Sequence, residues 1–300
     1  MSLIEAHRNL AGKVAVVVGG AAGFIGRGVT LGLASAGVQV ICADNDREGL
    51  ALIGAEAEAA GGKAWPVFAE VGDEASLDAF WDEVAAGFER VDIVVNVAGG
   101  GRRALFEHTT RADHARDIRM NYDHVVQSCH RAIPLLRRSG QGGAIVNFTT
   151  IEAHRGAATY AVYAGAKAAI TNFSRALAVE LGADQIRVNC LASDTTPARA
   201  SNAMLSPEDF ERLAGLSEDA MARAIEFYVP QKRAPSVDDV VNALLFLVSD
   251  LSRAITGTTL FVDGGTQAAF GFLNWPGGDG FMPAPLGGSL GRLLDLPRPR

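Results

Sequence analysis

VAVVVGGAAGFIG, residues 14–26, decides the fold. Val14 to Val18 form a continuous apolar run that reads as a strand, and GGAAGFIG, Gly19 to Gly26, follows without a break. Another apolar-periodic stretch then runs to Gly37, so the order is strand, glycine loop, helix. Glycines allow backbone N–H groups to approach a pyrophosphate closely, and the N-terminus of the following helix favours negative charge, a layout that suits a dinucleotide. A glycine loop alone is also compatible with a tight turn that binds nothing, so the rest of the chain has to carry the argument.

The next strand, Val38 to Ala43, ends in Asp44 with Asn45 beside it, about 20 residues past the glycine loop, where a carboxylate can bind adenosine ribose hydroxyls. Asp46 to Ala60 reads as a helix closed by Gly61-Gly62, and Lys63 to Phe68 as a third strand whose Pro66 fits an edge position. Glu70-Val71 follow, near the expected adenine. Ser76 is then expected to cap a helix that carries Leu77, Phe80, Trp81, Val84 and Phe88 on one face. Val91 to Val95 make a fourth strand and lead into Asn96-Val97-Ala98-Gly99-Gly100-Gly101, a small-residue loop that lets backbone pass close to a ligand. A long helical region from about Arg111 to Arg138 contains Asn121.

AIVNFTTIEAHRGAATYAVYAGAK, Ala144 to Lys167, holds the chemistry. Ala144 to Phe148 reads as a buried strand, so Thr149 and Thr150 sit at its end. Tyr163 and Lys167 are four apart, and a helix from about Thr159 to Leu181 places both on one face. A nearby ammonium favours the phenolate, which moves a group of ordinary pKa about 10 toward acid or base use near neutral pH. Taken alone, the pair is also compatible with an exposed helix contact. A sixth strand, Ile186 to Leu191, runs into Ser193-Asp194-Thr195-Thr196-Pro197, and a seventh, Thr258 to Val262, closes on Asp263-Gly264-Gly265. Strands alternating with helical patterns predict a Rossmann-type α/β fold: a doubly wound, seven-stranded parallel sheet with helices on both faces and a crevice beyond the carboxyl strand ends.

Composition narrows the function. Three hundred residues with 48% hydrophobic content can bury a large core, and a net charge of -7 leaves no basic footprint for nucleic acid or an anionic membrane. Cys42, Cys129 and Cys190 lie far apart, without metal-site or disulfide spacing. The N-terminus has no signal-like apolar core and no run reaches the ~18 apolar residues of a membrane span, so a cytoplasmic protein is expected, with no metal and a small-molecule substrate. Residues 1–265 are read as one dinucleotide-binding and catalytic domain. Residues 198–235 are too long and polar for an ordinary connection and are expected to cover the crevice as a lid. The 266–300 tail is Gly/Pro-rich yet holds Phe270, Phe272, Leu273, Trp275 and Phe281, which points to packing at a subunit interface rather than to a regular element.

From about Leu10 to Gly265 the chain resembles the short-chain dehydrogenase/reductase family, in its ordinary single-domain branch. The glycine loop, Asp44, Asn96-x-Ala98-Gly99, Asn121, Thr150, Tyr163-x-x-x-Lys167, Arg187-Val188-Asn189 and Asp263-Gly264-Gly265 stand in family order. The resemblance implies hydride transfer between a nicotinamide cofactor and a carbonyl or secondary alcohol, and a homotetramer. It implies Tyr163 as acid/base, Lys167 as the group that binds ribose and lowers the tyrosine pKa, and Asn121 as the holder of a relay water beside the Thr150 hydroxyl. It also implies a cofactor site of Gly20, Ala22, Gly23, Phe24, Ile25, Gly26, Asp44, Asn45, Glu70, Val71, Asn96, Ala98, Gly99, Tyr163, Lys167, Ser193, Thr195 and Thr196. Asp44, with no basic residue in GGAAGFIG and only Arg47 nearby, favours NAD over NADP.

Three departures stand out. Thr150 occupies the place of the family's serine, Gly19 replaces the usual threonine so that GxxGFIG resembles the extended, sugar-nucleotide branch, and Ser193-Asp194 replaces Pro-Gly. Gly99 to Gly101, Thr150, Tyr163 and the lid are expected to wall the pocket, and Glu152, His154, Arg102 and Tyr160 are substrate-side candidates without assigned roles. Two alternatives stay open: a sugar-nucleotide epimerase or dehydratase, for which the region after the sheet is short, and a dinucleotide sensor, which needs no proton relay.

Overall fold

The computed structural model describes residues 9–194, 217–275 and 280–283. The elements in chain order are β1 (Val14–Val18), α1 (Phe24–Ser35), β2 (Gln39–Asp44), α2 (Arg47–Ala59), β3 (Lys63–Phe68), α3 (Glu74–Gly87), β4 (Ile93–Asn96), α4 (Arg111–Ile118), a π-helical turn (Arg119–Asp123), α5 (His124–Arg138), β5 (Gly143–Thr150), α6 (Ala161–Glu180), β6 (Ile186–Ser193), α7 (Glu218–Tyr228), α8 (Val237–Val248), β7 (Thr259–Val262), α9 (Thr266–Ala269), β8 (Phe272–Trp275) and β9 (Gly280–Pro283). The first seven strands form one sheet in the order β3-β2-β1-β4-β5-β6-β7. Every pairing within it is parallel. The fold is the doubly wound Rossmann-type sheet read from the sequence.

Alternation along β1 shows how the layers form. Val14, Val16 and Val18 face a core built with Leu77, Phe80, Trp81 and Val84 of α3, Val125 and Leu136 of α5 and Ile170 of α6. Ala15 and Val17 face the opposite core, with Val29 and Leu33 of α1 and Val240, Leu244 and Leu247 of α8. Successive strand side chains point to opposite faces, so a run that is apolar at every position has to be covered on both sides. Each such valine, fully buried, contributes on the order of 1.5–3 kcal/mol.

Pro66 lies on β3, the outermost strand of the sheet, where its missing N–H breaks no ladder. Ser76 does not cap α3. Asp73 does, accepting from the Ala75 N–H at 3.0 Å, because its own side chain reaches the first-turn amides while Ser76, already inside the helix, accepts from the Glu70 N–H at 3.0 Å. The expected long helix around Asn121 is two helices joined through the π-helical turn. The tail also departs from expectation: after Asp263, whose Oδ2 accepts from the Gln267 N–H at 2.8 Å, it makes the short α9 and then pairs β8 antiparallel with β9. This hairpin returns to its own lid region, where Asn274 Nδ2 donates to the Glu226 carbonyl of α7 at 3.0 Å. Gly271 and the left-handed Phe270 make the reversal that lets a glycine-rich segment become regular. Among the described residues no helix is long and apolar enough to cross a membrane, and no group of histidine, cysteine and carboxylate side chains could hold a metal ion.

Candidate active site

The strand order reverses between β1 and β4, and the loops after those strands open a crevice at their carboxyl ends. On one side lies the glycine loop. The Gly19 and Gly20 N–H groups donate to the Ala43 carbonyl at 2.8 and 3.1 Å, which folds the loop against β2. A Cβ on Gly26 would lie 1.9 Å from the Gly19 carbonyl oxygen, so the first turn of α1 can only sit this close to the loop with glycine there. Gly23, the residue before α1, brings no side-chain cap, and the first turn holds no acidic residue, so the positive end of that helix is open toward the crevice. Phe24 is about half exposed there. The site therefore fits a dinucleotide pyrophosphate.

Asp44 is more buried than its expected ribose contact requires, at 5% exposure. Its Oδ2 accepts from the Ala21 and Ala22 N–H groups at 2.9 and 2.8 Å, and its Oδ1 accepts from the Asp46 N–H at 3.1 Å. The carboxylate thus shapes the glycine loop, a second task that the sequence spacing does not reveal. Asn45 Nδ2 donates to Glu70 Oε2 at 2.8 Å, so the neighbour of Asp44 is joined to a residue expected near the adenine, next to the partly buried Val71. Arg47 lies 4.1 Å over the ring of Phe68.

On the other side, Asn96 and its loop meet the catalytic candidates. The Asn96 side chain turns into the sheet, donating to Asn147 Oδ1 at 2.8 Å, so only its backbone and that of Ala98 and Gly99 border the crevice. Gly99, at φ +149°, packs so close that an added Cβ would lie 2.7 Å from Asn121 Oδ1 and 2.9 Å from Lys167 Nζ. Asn121 is completely buried in the π-helical turn, the kind of local widening that recurs at functional sites. Its Oδ1 accepts from the Gly100 N–H at 2.9 Å, and its Nδ2 donates to the Gly100 and Asp117 carbonyls at 2.8 and 2.9 Å. That grip on Gly100 was not legible in the sequence. Nor was buried His124, whose Nε2 lies 3.2 Å from the Ala98 carbonyl and whose imidazole burial lowers to about 3, with the Lys167 charge adding to the effect.

Thr150 ends β5 and Tyr163 and Lys167 lie one turn apart on α6. Lys167 is buried and its Nζ donates to the Phe148 carbonyl at 3.0 Å. Burial lowers this amine to about 8. The phenol of Tyr163 is pushed above its usual range by burial and then by the Glu152 carboxylate, while the neighbouring Thr150 hydroxyl pulls the other way. The expected lowering by Lys167 does not act on the phenol: the ring is desolvated, and the charge beside it is the Glu152 carboxylate. Tyr160 packs edge-on against Tyr163 with ring centroids 6.0 Å apart. His154 turns away, edge-on to Phe261 of β7 at 4.8 Å, and Arg102 is exposed.

Beyond Thr150 the wall is polar. The Thr150 hydroxyl donates to the Glu152 carboxylate, and Arg155 Nη2 donates to the same carboxylate at 2.8 Å. The Arg155 guanidinium lies 5.8 Å from the ring centroid of Tyr228, at the end of α7. Asp194, which stands where the family has glycine, is buried and accepts from the Thr266 hydroxyl at 2.7 Å. Ser193 borders the same edge, and Thr195 and Thr196, with the first half of the expected lid, lie outside the described residues.

Comparison with known proteins gives the family. A family model described as enoyl-(acyl carrier protein) reductase matches residues 20–267. A protein of Sinorhizobium fredii named as a short-chain type dehydrogenase/reductase is 32% identical over 267 residues, 85% of this chain and 98% of its own. The chain belongs to the short-chain dehydrogenase/reductase family. Another relative in this oxidoreductase family, the D-xylose 1-dehydrogenase of Caulobacter vibrioides, is 33% identical over 260 residues, covering 86% of this chain and 97% of its own. A solved structure of 7α-hydroxysteroid dehydrogenase, in complex with NADH and 7-oxo glycochenodeoxycholic acid, is 27% identical with a TM-score of 0.76, over 87% of this chain and 96% of that one. Membership of this short-chain dehydrogenase/reductase family brings a nicotinamide dinucleotide as cofactor class and a redox reaction as reaction class.

Proposed function

We propose that the protein is an NAD-dependent dehydrogenase that interconverts a secondary alcohol and a ketone, with Tyr163 as the acid/base. The observation that carries this reading is that Lys167 packs against Gly99 and Tyr163 against Gly101, with the Thr150 hydroxyl beside the Tyr163 phenol, at the strand ends near the topological switch. When bound, the nicotinamide supplies the site that takes or gives hydride.

The open N-terminus of α1 would hold the pyrophosphate, since the Gly19 to Ala22 amides are spent on Ala43 and Asp44, and Lys167 would bind the nicotinamide ribose. During oxidation the Thr150 hydroxyl holds the substrate oxygen while the Tyr163 phenolate takes its proton. In reduction the neutral phenol returns that proton to the carbonyl oxygen. Asn121 fixes Gly100 and, with Lys167, leads the proton toward water. NAD is favoured because Asp44 brings negative charge to the loop that borders the adenosine ribose, where a 2′-phosphate is repelled, and because Arg47 is already engaged by Phe68. The relative named for D-xylose and the one bound to a bile-acid derivative both support a cyclic secondary alcohol or hemiacetal as substrate. We also propose a homotetrameric, cytoplasmic enzyme, with the 266–300 tail shared between lid and subunit contact.

The test is reduction of NAD by a panel of secondary alcohols, alicyclic and steroid types included. Turnover that is kept by Thr150→Ser and cut by about 100-fold or more in Thr150→Ala supports the reading. Normal turnover in Thr150→Ala contradicts the assigned relay.

A further inference from the structure

Glu152 is set apart from the other carboxylates of the crevice by what its two oxygens do. One is clamped by Arg155 at 2.8 Å, and the other accepts the proton of the Thr150 hydroxyl. The side chain is only 21% exposed and Arg155 31%, so neither swings freely into water. The short helical turn Ile151–Ala153 fixes the spacing: the Glu152 N–H points back at Thr150 Oγ1, at 3.4 Å, and the carboxylate curls over the same hydroxyl.

A threonine hydroxyl has one proton to give. While it goes to Glu152, Thr150 cannot also donate to a substrate oxygen, which the reaction proposed above requires. When substrate binds and the hydroxyl turns to the reacting oxygen, the vacated Glu152 oxygen is left partly buried and without a partner. A carboxylate in that position needs a replacement donor. Arg155 keeps the carboxylate in place, so a substrate that carries this donor next to the reacting oxygen is favoured over one that leaves the oxygen to water. Adjacent hydroxyls of a polyol lie apart by about the 2.7–2.8 Å of an O–H···O contact, so the hydroxyl on the neighbouring carbon reaches the oxygen that Thr150 releases. The wall continues in the same chemistry, through Arg155 against Tyr228 and the buried Asp194.

We propose that Glu152 is a specificity-determining residue that accepts a hydrogen bond from the hydroxyl adjacent to the reacting carbon, so that the substrate class is a vicinal diol or polyol and the corresponding α-hydroxy ketone. The proposal rests on the reading of Thr150 and Tyr163 given above. Glu152 moves no proton in the reaction and forms no bond to substrate beyond this contact.

The test compares matched pairs, butane-2,3-diol isomers against butan-2-ol and cyclohexane-1,2-diols against cyclohexanol, with NAD or NADP supplied to wild type, Glu152→Gln and Glu152→Ala. Wild type is expected to favour the diol in kcat/KM by at least about tenfold, the direction set by a site that leaves a polar group unpaired with the wrong substrate. Glu152→Ala should bring that ratio close to one, mostly through the KM of the diol, and Glu152→Gln, which keeps an acceptor oxygen, should fall between. Unchanged cofactor dissociation constants confirm that the variants are folded. A ratio near one in wild type, or a diol preference that survives in Glu152→Ala, overturns the proposal. If monoalcohols are oxidised in a Tyr163-dependent way without diol preference, only the role of Glu152 falls. If no member of either class is oxidised while cofactor binds, the dehydrogenase reading falls with it.

Discussion

Lys167 Nζ on α6 donates to the carbonyl of Phe148 on β5 at 3.0 Å, which ties the helix that bears Tyr163 to the strand that ends in Thr150. The bond holds two catalytic candidates in register across elements that the chain forms separately.

The same burial makes Lys167 costly to keep charged. Its amine falls from the usual 10.5 to about 8. The unfolded chain therefore binds this proton up to a higher pH than the folded protein does, and stability from this group rises as pH increases from about 8 to 10.5. Lys167→Met should remove that rise and stabilise the protein at pH 7 by up to roughly 3 kcal/mol, less about 1 kcal/mol for the lost hydrogen bond, while activity disappears. Urea unfolding at pH 7 and pH 10 checks it. A variant that is less stable than wild type at both values contradicts the burial argument.

Tyr163 predicts the pH dependence of turnover. Burial first, and the Glu152 carboxylate second, raise the phenol above its ordinary value, so the phenolate required for oxidation is scarce at neutral pH and grows as pH increases. Alcohol oxidation should climb into the alkaline range, and ketone reduction, which uses the neutral phenol, should decline over the same range. Steady-state rates in both directions across pH decide this. An oxidation rate that falls with rising pH, with cofactor still saturating and the protein folded, contradicts the role of Tyr163.

Cofactor choice follows from Asp44 and Arg47. NAD should bind more tightly than NADP by on the order of tenfold or more, measured as dissociation constants by titration. Asp44→Ser should narrow the difference and also lower stability by about 1–3 kcal/mol, because the Ala21 and Ala22 N–H groups lose their acceptor. Tighter NADP binding by wild type contradicts the assignment.

The sheet was legible because Val14–Val18, Ile186–Leu191 and their counterparts are continuous apolar runs with glycine or polar stops, a pattern that few folds other than a covered parallel sheet accommodate. Strand ends moved by at most two residues, as at β5, which continues through Thr150, because pairing with β6 carries on past the last apolar residue. The site residues were legible as types and spacings. Their partners were not. That Asn121 sits in a π-helical turn and grips Gly100, that Asp44 holds loop amides, and that Thr150 gives its proton to Glu152 all depend on contacts between separate segments or on local geometry that leaves no periodic mark. The hairpin of the tail was hidden for a related reason: β8 and β9 are four residues each, and β8 is tied through Asn274 to α7, a separate segment of the chain.

The most direct test of the whole account is hydride transfer from a carbinol-deuterated secondary alcohol to NAD in wild type and in Tyr163→Phe, with cofactor binding measured on both. The account predicts deuterated reduced nicotinamide from wild type, and from Tyr163→Phe a rate lower by about 1,000-fold or more, with NAD bound within a few-fold of the wild-type affinity. Transfer at the wild-type rate in Tyr163→Phe would contradict it.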